Sequence, residues 1–310
     1  MSVEEELSRL SPDKDTILAI GVFDGVHLGH KHLLAKLIER ARELNLLSVV
    51  VTFDPHPQKL LSPKTELPFL ASLEQREALL KDAGAEAVII LPFTQELAQL
   101  SAREFVELLK DHLRLKELVI GPDFTLGRDR EGNVSTLRKL GEDMGFMVTV
   151  VPPVRINGEM VSSTAIREAL AGGDLEKVHR LIGRPFSLYG KVVRGESRGA
   201  KLDYPTANLE IEPEQALPAE GVYATWAYIG SRAYESVTNI GRRPTFGGEK
   251  SVVEVYILGY RGNLYGQVLK IDIMERLRSE KQFSSVEALK QQIAEDVVRG
   301  RAILESKGRN

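Results

Sequence analysis

The feature that most constrains the fold is an alternation of apolar runs with helical patterns, which continues to about residue 183 and then stops. Five apolar runs are typical of strands buried on both faces: residues 17–22, 47–53, 87–91, 118–120 and 147–151. Helical spacing of apolar residues follows each of them: residues 32–44, 73–83, 105–113, 137–144 and 166–182. Ser101 with Glu104 makes a capping-box pattern that opens the third helix. This half is predicted to be a Rossmann-like, doubly wound parallel sheet with its ligand at the carboxyl ends of the strands.

The alternation of apolar runs with helical patterns ends at Gly183-Arg184-Pro185. Shorter, partly alternating stretches follow, separated by glycines and prolines: residues 188–193, 207–211, 222–229, 235–240, 252–258 and 268–277. The chain then shows one long helical pattern, from a capping box at Ser284 and Glu287 to about Leu304. We therefore expect a six-stranded antiparallel β-barrel with a C-terminal helix, and two domains with bounds 1–183 and 184–310.

Composition narrows the class of partner. The net charge of −3 gives no electrostatic reason to expect nucleic acid or an anionic membrane. The absence of cysteine excludes disulfides, thiolate metal sites and a cysteine nucleophile. The first ten residues do not resemble a signal peptide, and no apolar run is long enough to span a bilayer. We expect a cytoplasmic protein with small-molecule substrates, and the sequence does not predict its oligomeric state.

A motif with three glycines and two histidines lies between the first predicted strand and the first predicted helix. It reads Gly21-Val22-Phe23-Asp24-Gly25-Val26-His27-Leu28-Gly29-His30. The glycines let the backbone approach a phosphate, and a helix N-terminus adds N–H donors and a positive dipole end. His27 and His30, three residues apart, can point the same way and stabilise charge in an in-line displacement. A satisfied surface histidine and metal ligation are the alternatives, but no carboxylate set completes a metal site. The placement favours ATP phosphate binding.

These residues resemble the bacterial bifunctional riboflavin kinase/FMN adenylyltransferase family, often called FAD synthetase. Three further stretches of the first half agree with it: Thr52-Phe53-Asp54-Pro55-His56-Pro57, Gly121-Pro122-Asp123-Phe124-Thr125-Leu126-Gly127 and Val161-Ser162-Ser163-Thr164-Ala165-Ile166-Arg167. The second half agrees in Gly190 to Gly199, Pro205-Thr206-Ala207-Asn208 and the run around Glu254. The resemblance covers nearly the whole chain, with motifs in the same order.

For the first half, the resemblance implies that His27 and His30 engage the ATP phosphates. The other implied ATP-binding residues are Gly21, Phe23, Asp24, Gly25, Gly29, Asp123, Ser163, Thr164 and Arg167. Ser163 and Thr164 are placed at a predicted helix start and Arg167 one turn in, which suits a second phosphate clamp. An ordinary helix cap with a solvated arginine is the alternative. Asp54 and Phe124 are implied flavin contacts, although Asp54 and His56 could simply shape a proline-rich loop.

For the second half, the resemblance implies that Gly190, Gly195 and Gly199 belong to a loop over the ADP phosphates. Thr206 and Asn208 would hold Mg²⁺ and phosphate, and both offer the hard oxygen ligands that Mg²⁺ prefers. Glu254 would act as the base toward the ribityl hydroxyl, and the implied flavin contacts are Arg243, Arg278 and Phe283. Read alone, the Pro-Thr-Ala-Asn stretch is a strand-entry turn and Glu254 a surface residue of a half-exposed strand.

The sequence therefore predicts an enzyme with two ATP-dependent steps. The barrel makes FMN from riboflavin, and the first domain adenylylates FMN to FAD and releases pyrophosphate, with Mg²⁺ in both steps. A nucleotidyltransferase for another substrate, or a flavin-binding regulator without catalysis, are the alternatives. The barrel motifs count against the first, and the intact His27, His30, Thr206, Asn208 and Glu254 count against the second.

Overall fold

The computed structural model describes residues 3–9, 11–62, 67–195, 203–245 and 248–308, with the backbone alone for residue 6 and for residues 243–245 and 248–250. Contacts divide the chain into two compact units, Met1–Ser163 and Thr164–Asn310. Each unit is described by itself below.

The first unit is built from alternating strands and helices. Its strands are β1 (Thr16–Ile20), β2 (Leu47–Asp54), β3 (Ala87–Pro92), β4 (Leu115–Ile120), β5 (Met147–Val150) and the short pair β6 (Arg155–Ile156) and β7 (Glu159–Met160). Its helices are α1 (Val3–Arg9), α2 (Leu28–Leu44), α3 (Pro57–Leu61), α4 (Leu73–Asp82), α5 (Gln95–Gln99), α6 (Ala102–Leu113) and α7 (Val134–Met144).

The five long strands form one parallel sheet in the order β3-β2-β1-β4-β5. Alternate residues of β1 face opposite sides, so Leu18 packs with α6 and α7 while Ile17 packs with α2 and α4. The strand order reverses direction between β1 and β4, which is the switch point where doubly wound sheets bind ligands. The predicted Rossmann-like architecture is confirmed.

The predicted start of a helix was confirmed where a capping pattern and the spacing of apolar residues indicated the same position. The capping box of Ser101 and Glu104 is formed at the start of α6. Helix α2, however, begins at Leu28, earlier than the predicted residue 32, because the His27 side chain caps it. The short helices α1, α3 and α5 were not predicted, since five to seven residues give too little periodicity to recognise.

The second unit is a closed barrel preceded by two helices and followed by one. The helices are α8 (Ser163–Gly172), α9 (Leu175–Ile182) and α10 (Val286–Lys307). The strands are β8 (Phe186–Val193), β9 (Thr206–Glu210), β10 (Gly221–Ile229), β11 (Arg232–Thr245), β12 (Gly248–Ile257) and β13 (Val268–Arg278). They close in the order β10-β11-β12-β9-β8-β13 with antiparallel neighbours, as predicted.

Helix α10 covers the outside of the barrel, where Leu304 packs with Val237 and Trp226. Its N-cap is Ser285, whose side chain accepts from the Ala288 N–H. The predicted capping box at Ser284 and Glu287 was therefore wrong by one residue. The cap is Ser285, and Ala288, the third helical residue, has no side-chain acceptor to complete a box.

The predicted single helix over residues 166–182 was also wrong. Helix α8 ends before Gly173, which has a φ of 75°, and α9 starts again with Asp174 as its N-cap. Helix α9 packs on the barrel, with the His179 Nε2 atom 2.8 Å from the Ile273 carbonyl oxygen. Helix α9 therefore belongs to the same compact unit as the barrel. The domain boundary at residue 183 stays a prediction.

Candidate active sites

The loop after β1 is anchored by the side chain of Asp24. Its buried carboxylate accepts the backbone N–H of Leu70 at 2.8 Å and that of Ala71 at 3.2 Å. These bonds tie the loop to the segment that leads into α4. Asp24 thus shapes the loop through backbone contacts, and a direct contact with ATP stays a prediction.

The two histidines of the motif lie face to face at the start of α2. Their ring centroids are 3.6 Å apart and their planes inclined by 15°, and Phe23 meets the His30 ring edge-on at 5.2 Å. The prediction that His27 and His30 point the same way is confirmed.

Hydrogen bonding fixes how His27 carries its proton. Its Nδ1 atom accepts the backbone N–H of His30 at 3.3 Å, so the proton of the neutral ring is on Nε2. His30 differs, because its Nδ1 atom is buried and has no hydrogen-bond partner in the structure. Burial, together with the nearby His27 ring, holds the pKa of His30 well below its usual value of 6.5. A neutral imidazole in the first turn of a helix is compatible with binding of an anionic group there.

The loop backbone is strained where it turns into the helix. Phe23 has a φ of 54° and Val26 a φ of 39°, and for a β-branched residue this is an outlier. Gly25 has a φ of 76°, which favours glycine, and a Cβ there would lie only 3.0 Å from Leu70. A residue with a side chain would therefore be strained at this position. Such strain is typical of ligand-binding loops.

The residues of the implied second clamp are placed at the start of α8. The Ser163 hydroxyl donates to the Asp24 carbonyl oxygen at 3.0 Å, which connects this segment within the first unit to the loop after β1 (residues 21–27), called the phosphate loop below after its predicted role. Thr164 and Arg167 lie in the first two turns of α8 and are grouped with the second unit. Their part in phosphate binding stays a prediction.

An aromatic cavity of about 680 Å³ lies beside the phosphate loop. Gly21 and Val22 belong both to the loop and to the cavity wall. The residues that line it include Ile20, Phe53, Phe93, Asp123, Phe124 and Thr125, which lie at or just after the carboxyl ends of four parallel strands, and Phe105 of α6. Such a wall, apolar and aromatic with a few polar groups, suits a flat heteroaromatic ligand.

The barrel carries two cavities that share Thr206. One, of about 530 Å³, is lined by residues that include Val192, Pro205, Tyr260 and Asn263. The other, of about 340 Å³, lies on the outside of the barrel against α10, with Glu254, Tyr256, Arg278, Phe283 and Ile293 in its wall. Thr206 is thus placed where ligands of the two cavities would meet.

Glu254 sits in a row of polar side chains across three strands. It pairs in register with Asn208 of β9 and with Asn239 of β11. Residues directly opposite in antiparallel strands project to the same face. Val253 and Val255 are buried, while Glu254 and Tyr256 are half-buried on the other face, as the alternation predicted.

The far wall of the outer cavity is fixed by an ion pair. Arg278 donates from Nη2 to the buried Asp296 carboxylate at 2.8 Å and from Nε at 3.0 Å. The Arg278 guanidinium also lies 5.7 Å from the centre of the Phe283 ring. Arg278 and Phe283 are therefore brought together beside Glu254.

Comparison with known proteins decides the family. The family model described as FAD synthetase matches residues 10–165, and the one described as riboflavin kinase matches residues 182–304. The bifunctional riboflavin kinase/FMN adenylyltransferase of Pseudomonas fluorescens is 39% identical over 98% of each chain. The protein of the same description from Escherichia coli K12 is 37% identical over 94% of this chain and 93% of its own. This chain belongs to the bifunctional riboflavin kinase/FMN adenylyltransferase family.

A solved structure agrees with this fold over nearly the whole chain. It is a crystal structure described as a macrolide-efflux protein from Streptococcus pneumoniae, with a TM-score of 0.87 and 32% identity, covering 94% of this chain and 95% of its own. Within the described residues of this family member, none of the helices is both long and apolar enough to cross a membrane.

Several predicted ligands of this enzyme are placed elsewhere than the sequence indicated. Gly190 lies inside strand β8, not in a loop, and a Cβ there would lie 2.9 Å from the Glu210 carbonyl oxygen. Its missing side chain therefore serves the close approach of two strands. Asp54 is exposed at the end of β2, and Phe53 and His56, not Asp54, are among the described residues that line the aromatic cavity. A contact of Asp54 with flavin stays a prediction.

Three more predicted residues of the second half are Gly195, Arg243 and Gly199. Gly195 packs against Asn208, so a side chain there would displace the Asn208 amide. Arg243 pairs with Lys250 in the β11–β12 ladder, and its side chain is outside what the structure describes. Gly199 lies outside the described residues.

Sequence reasoning missed most of the aromatic wall of this enzyme. Phe53, Phe93 and Phe105 look like ordinary core residues in the sequence, and only their place at strand ends and at the start of α6 brings them to one cavity. It also missed Arg76, a buried arginine in α4 that contacts the loop. Burial of an arginine leaves no sequence signal within an amphipathic helix.

Proposed function

We propose that the phosphate loop and aromatic cavity of the first unit transfer AMP from ATP to FMN, and that the two barrel cavities phosphorylate riboflavin. The observation that carries the proposal is that Gly21 and Val22 belong to both the loop and the cavity wall. A nucleotide on the loop and a flavin in the cavity would therefore be neighbours. The family assignment names the same pair of reactions.

In the first reaction, an FMN phosphate oxygen attacks the α-phosphorus of ATP, and the bond to pyrophosphate breaks. Negative charge grows on the departing pyrophosphate, so donors that face it stabilise the transition state. His27 donates a hydrogen bond from Nε2, and His30, which is neutral in the free enzyme at the helix N-terminus, takes up a proton from solvent when the phosphates bind and stabilises their charge. No side-chain nucleophile is required.

In the second reaction, Glu254 accepts the proton of the ribityl hydroxyl, which attacks the γ-phosphorus of ATP and releases ADP. The flavin occupies the outer cavity between Arg278, Phe283 and Tyr256, and ATP occupies the cavity lined by Val192 and Tyr260. Glu254 lies in the flavin cavity, and Thr206 lies in both. This arrangement supports the proposal that Glu254 is the base and Thr206 a phosphate ligand.

Thr206 and Asn208 fit a magnesium ion by their donor chemistry. They are two residues apart in β9, which puts a hydroxyl and an amide oxygen on one face, and Gly195 leaves room beside the Asn208 amide. Bound Mg²⁺ would neutralise phosphate charge. Among the described residues no cluster of three or more His, Asp or Glu side chains is arranged as a metal site, so His27 and His30 have no third ligand of that kind.

The test is one incubation with riboflavin, ATP and Mg²⁺, followed by chromatography of the flavins. The wild type should make FMN and FAD. We expect His27→Ala to stop at FMN, and Glu254→Ala to make no FMN yet adenylylate supplied FMN. His32→Ala on the exposed side of α2 and Glu305→Ala near the end of α10 are matched controls and should behave as wild type. Unchanged riboflavin with folded wild-type enzyme, or loss of both activities in either site variant, contradicts the proposal.

Under the same proposal the partners are riboflavin, FMN and ATP, and the enzyme works in the cytoplasm. The net charge of −3 favours neither nucleic acid nor an anionic membrane surface.

A further inference from the structure

Three successive carbonyl oxygens of the phosphate loop, those of Val22, Phe23 and Asp24, are bound within the protein. The Val22 oxygen accepts from the Thr52 hydroxyl at 3.1 Å and from Arg76 Nη1 at 3.1 Å. The Phe23 oxygen accepts from the Val26 N–H at 3.1 Å, and the Asp24 oxygen from the Ser163 hydroxyl at 3.0 Å. Carbonyl oxygens repel phosphate, so holding them inward is what an anion-binding loop requires.

The Val22 oxygen is held by the most elaborate of these contacts. Arg76 is only 6% exposed, and its second nitrogen, Nη2, donates to the Phe53 carbonyl oxygen at 2.8 Å. One guanidinium therefore joins the loop after β1 to the end of β2. Thr52, fully buried in β2, supplies the second donor to the same Val22 oxygen.

The orientation of one peptide group follows from this contact. In a trans peptide the N–H points opposite to the C=O. With the Val22 oxygen turned toward Arg76 and Thr52, the Phe23 N–H is directed to the other side of the loop. Phe23 then has to adopt its left-handed φ of 54°, a conformation that costs energy and needs anchors on both sides. Asp24 supplies the anchor that follows Phe23, through Leu70 and Ala71.

We propose that Arg76 is a positioning residue for adenylyl transfer, which orients the Val22–Phe23 peptide so that its N–H faces the ATP phosphates. Arg76 acts through the backbone and touches no substrate. Burial lowers the pKa of Arg76, and the carboxylates of Asp24 and Asp54 offset part of that effect and compensate its charge inside the protein. The proposal rests on adenylyl transfer at this loop, which FAD formation by the wild type tests separately.

The decisive variant is Arg76→Lys. Lysine keeps the charge and the stem, but a single ammonium cannot hold the Val22 and Phe53 oxygens in the fixed fork of a guanidinium. We expect the KM for ATP in FAD formation to rise about tenfold, the effect of one lost charge-assisted hydrogen bond. Riboflavin kinase activity of the same preparation should stay within about twofold and reports on the folded barrel.

Thr52→Val removes the other donor to the Val22 oxygen with little change of shape. We expect a smaller rise in the KM for ATP, about threefold, and a double variant that departs from additivity because both side chains hold one oxygen. Thr52→Val also keeps the test valid where Arg76→Lys fails to fold.

A purely structural role would look different. Thr149→Val is the matched control, since it removes a partly buried 2.7 Å hydrogen bond to Glu117 in the same sheet. It should lower the melting temperature and leave the KM for ATP unchanged. If Arg76→Lys or Thr52→Val behaves as Thr149→Val does, with lower stability and an unchanged KM for ATP, the positioning role is overturned.

Discussion

The imidazole rings of His27 and His30 stack with their centroids 3.6 Å apart, at the N-terminus of the helix that follows the phosphate loop. The pair combines two tasks. His27 caps the helix through Nδ1, so the neutral ring carries its proton on Nε2. His30 is held neutral by burial and by the ring beside it.

The two tasks of His27 can be separated by substitution. In His27→Asn the side-chain oxygen can still cap the helix, whereas His27→Ala loses the cap, at a cost of about 1 kcal/mol of unfolding free energy. Both variants lack the imidazole, so both should lose FAD formation. Denaturant unfolding combined with FAD assays checks this. An active His27→Asn enzyme would reduce His27 to a cap and remove it from the chemistry.

The lowered pKa of His30 predicts proton uptake on nucleotide binding. The ring is neutral in the free enzyme at neutral pH, and a phosphate beside it raises its pKa, so protons are taken up and ATP binding weakens as pH rises. Calorimetric titration in buffers of different ionisation enthalpy measures the uptake, and the difference between wild type and His30→Gln removes the contribution of the kinase site. Equal uptake by both proteins would contradict the prediction.

The same shift affects stability with a defined sign. The unfolded chain, in which His30 titrates near 6.5, binds more protons in mildly acidic solution than the folded one. The unfolding free energy of the first unit should therefore fall as pH drops through that range. In His30→Gln this part of the pH dependence should be absent, which unfolding curves at several pH values would check.

Asp24 is predicted to matter for stability more than for direct nucleotide contact. In Asp24→Asn an amide group would face backbone N–H donors, so we expect a loss of roughly 1–3 kcal/mol and a weaker loop. Asp82→Asn, exposed at the end of α4, is the control. A variant as stable as wild type but with a raised KM for ATP would instead make Asp24 a nucleotide ligand.

The sequence revealed the architecture and the chemistry-bearing loops because both depend on local patterns. Continuous apolar runs predicted the parallel sheet, and alternation in the run around Glu254 placed that side chain opposite Val253 and Val255. Glycine spacing and the histidine pair marked the loop after β1.

What the sequence did not reveal depends on contacts distant along the chain. The aromatic wall is formed by Phe53, Phe93 and Phe124, which lie at separate strand ends. Arg76 of α4 donates to the carbonyl oxygen of Val22 in the loop after β1. Gly190 was read as part of a loop, although strand β8 continues through it. A glycine in a motif has the same appearance whether it faces a phosphate or a neighbouring strand.

Phe124 should contribute to FMN affinity and not to ATP affinity. It lines the aromatic cavity beside Asp123, and loss of the ring in Phe124→Ala removes a stacking surface worth about 1–2 kcal/mol, which is about a tenfold rise in the KM for FMN. Phe124→Tyr keeps the ring and serves as the control. A rise in the KM for ATP with that for FMN unchanged would assign the cavity to the nucleotide.

The ion pair of Arg278 and Asp296 predicts a separate effect on the kinase. Asp296→Asn leaves the Arg278 guanidinium without a carboxylate while Asp296 itself is only 5% exposed, so the loss should be about 2 kcal/mol of barrel stability. Gln292, which donates to the same carboxylate at 3.1 Å, offers the milder variant Gln292→Leu. Because the pair holds Arg278 against Phe283, we expect the KM for riboflavin to rise in Asp296→Asn by about tenfold and less in Gln292→Leu.

The adenylyltransferase activity is the internal control for both variants. FAD formation from supplied FMN takes place on the other unit, so it should keep its rate in Asp296→Asn and in Gln292→Leu. Steady-state assays of each activity in the same preparation measure the contrast, and a parallel decline of both activities would mean that the pair supports folding without shaping the flavin cavity.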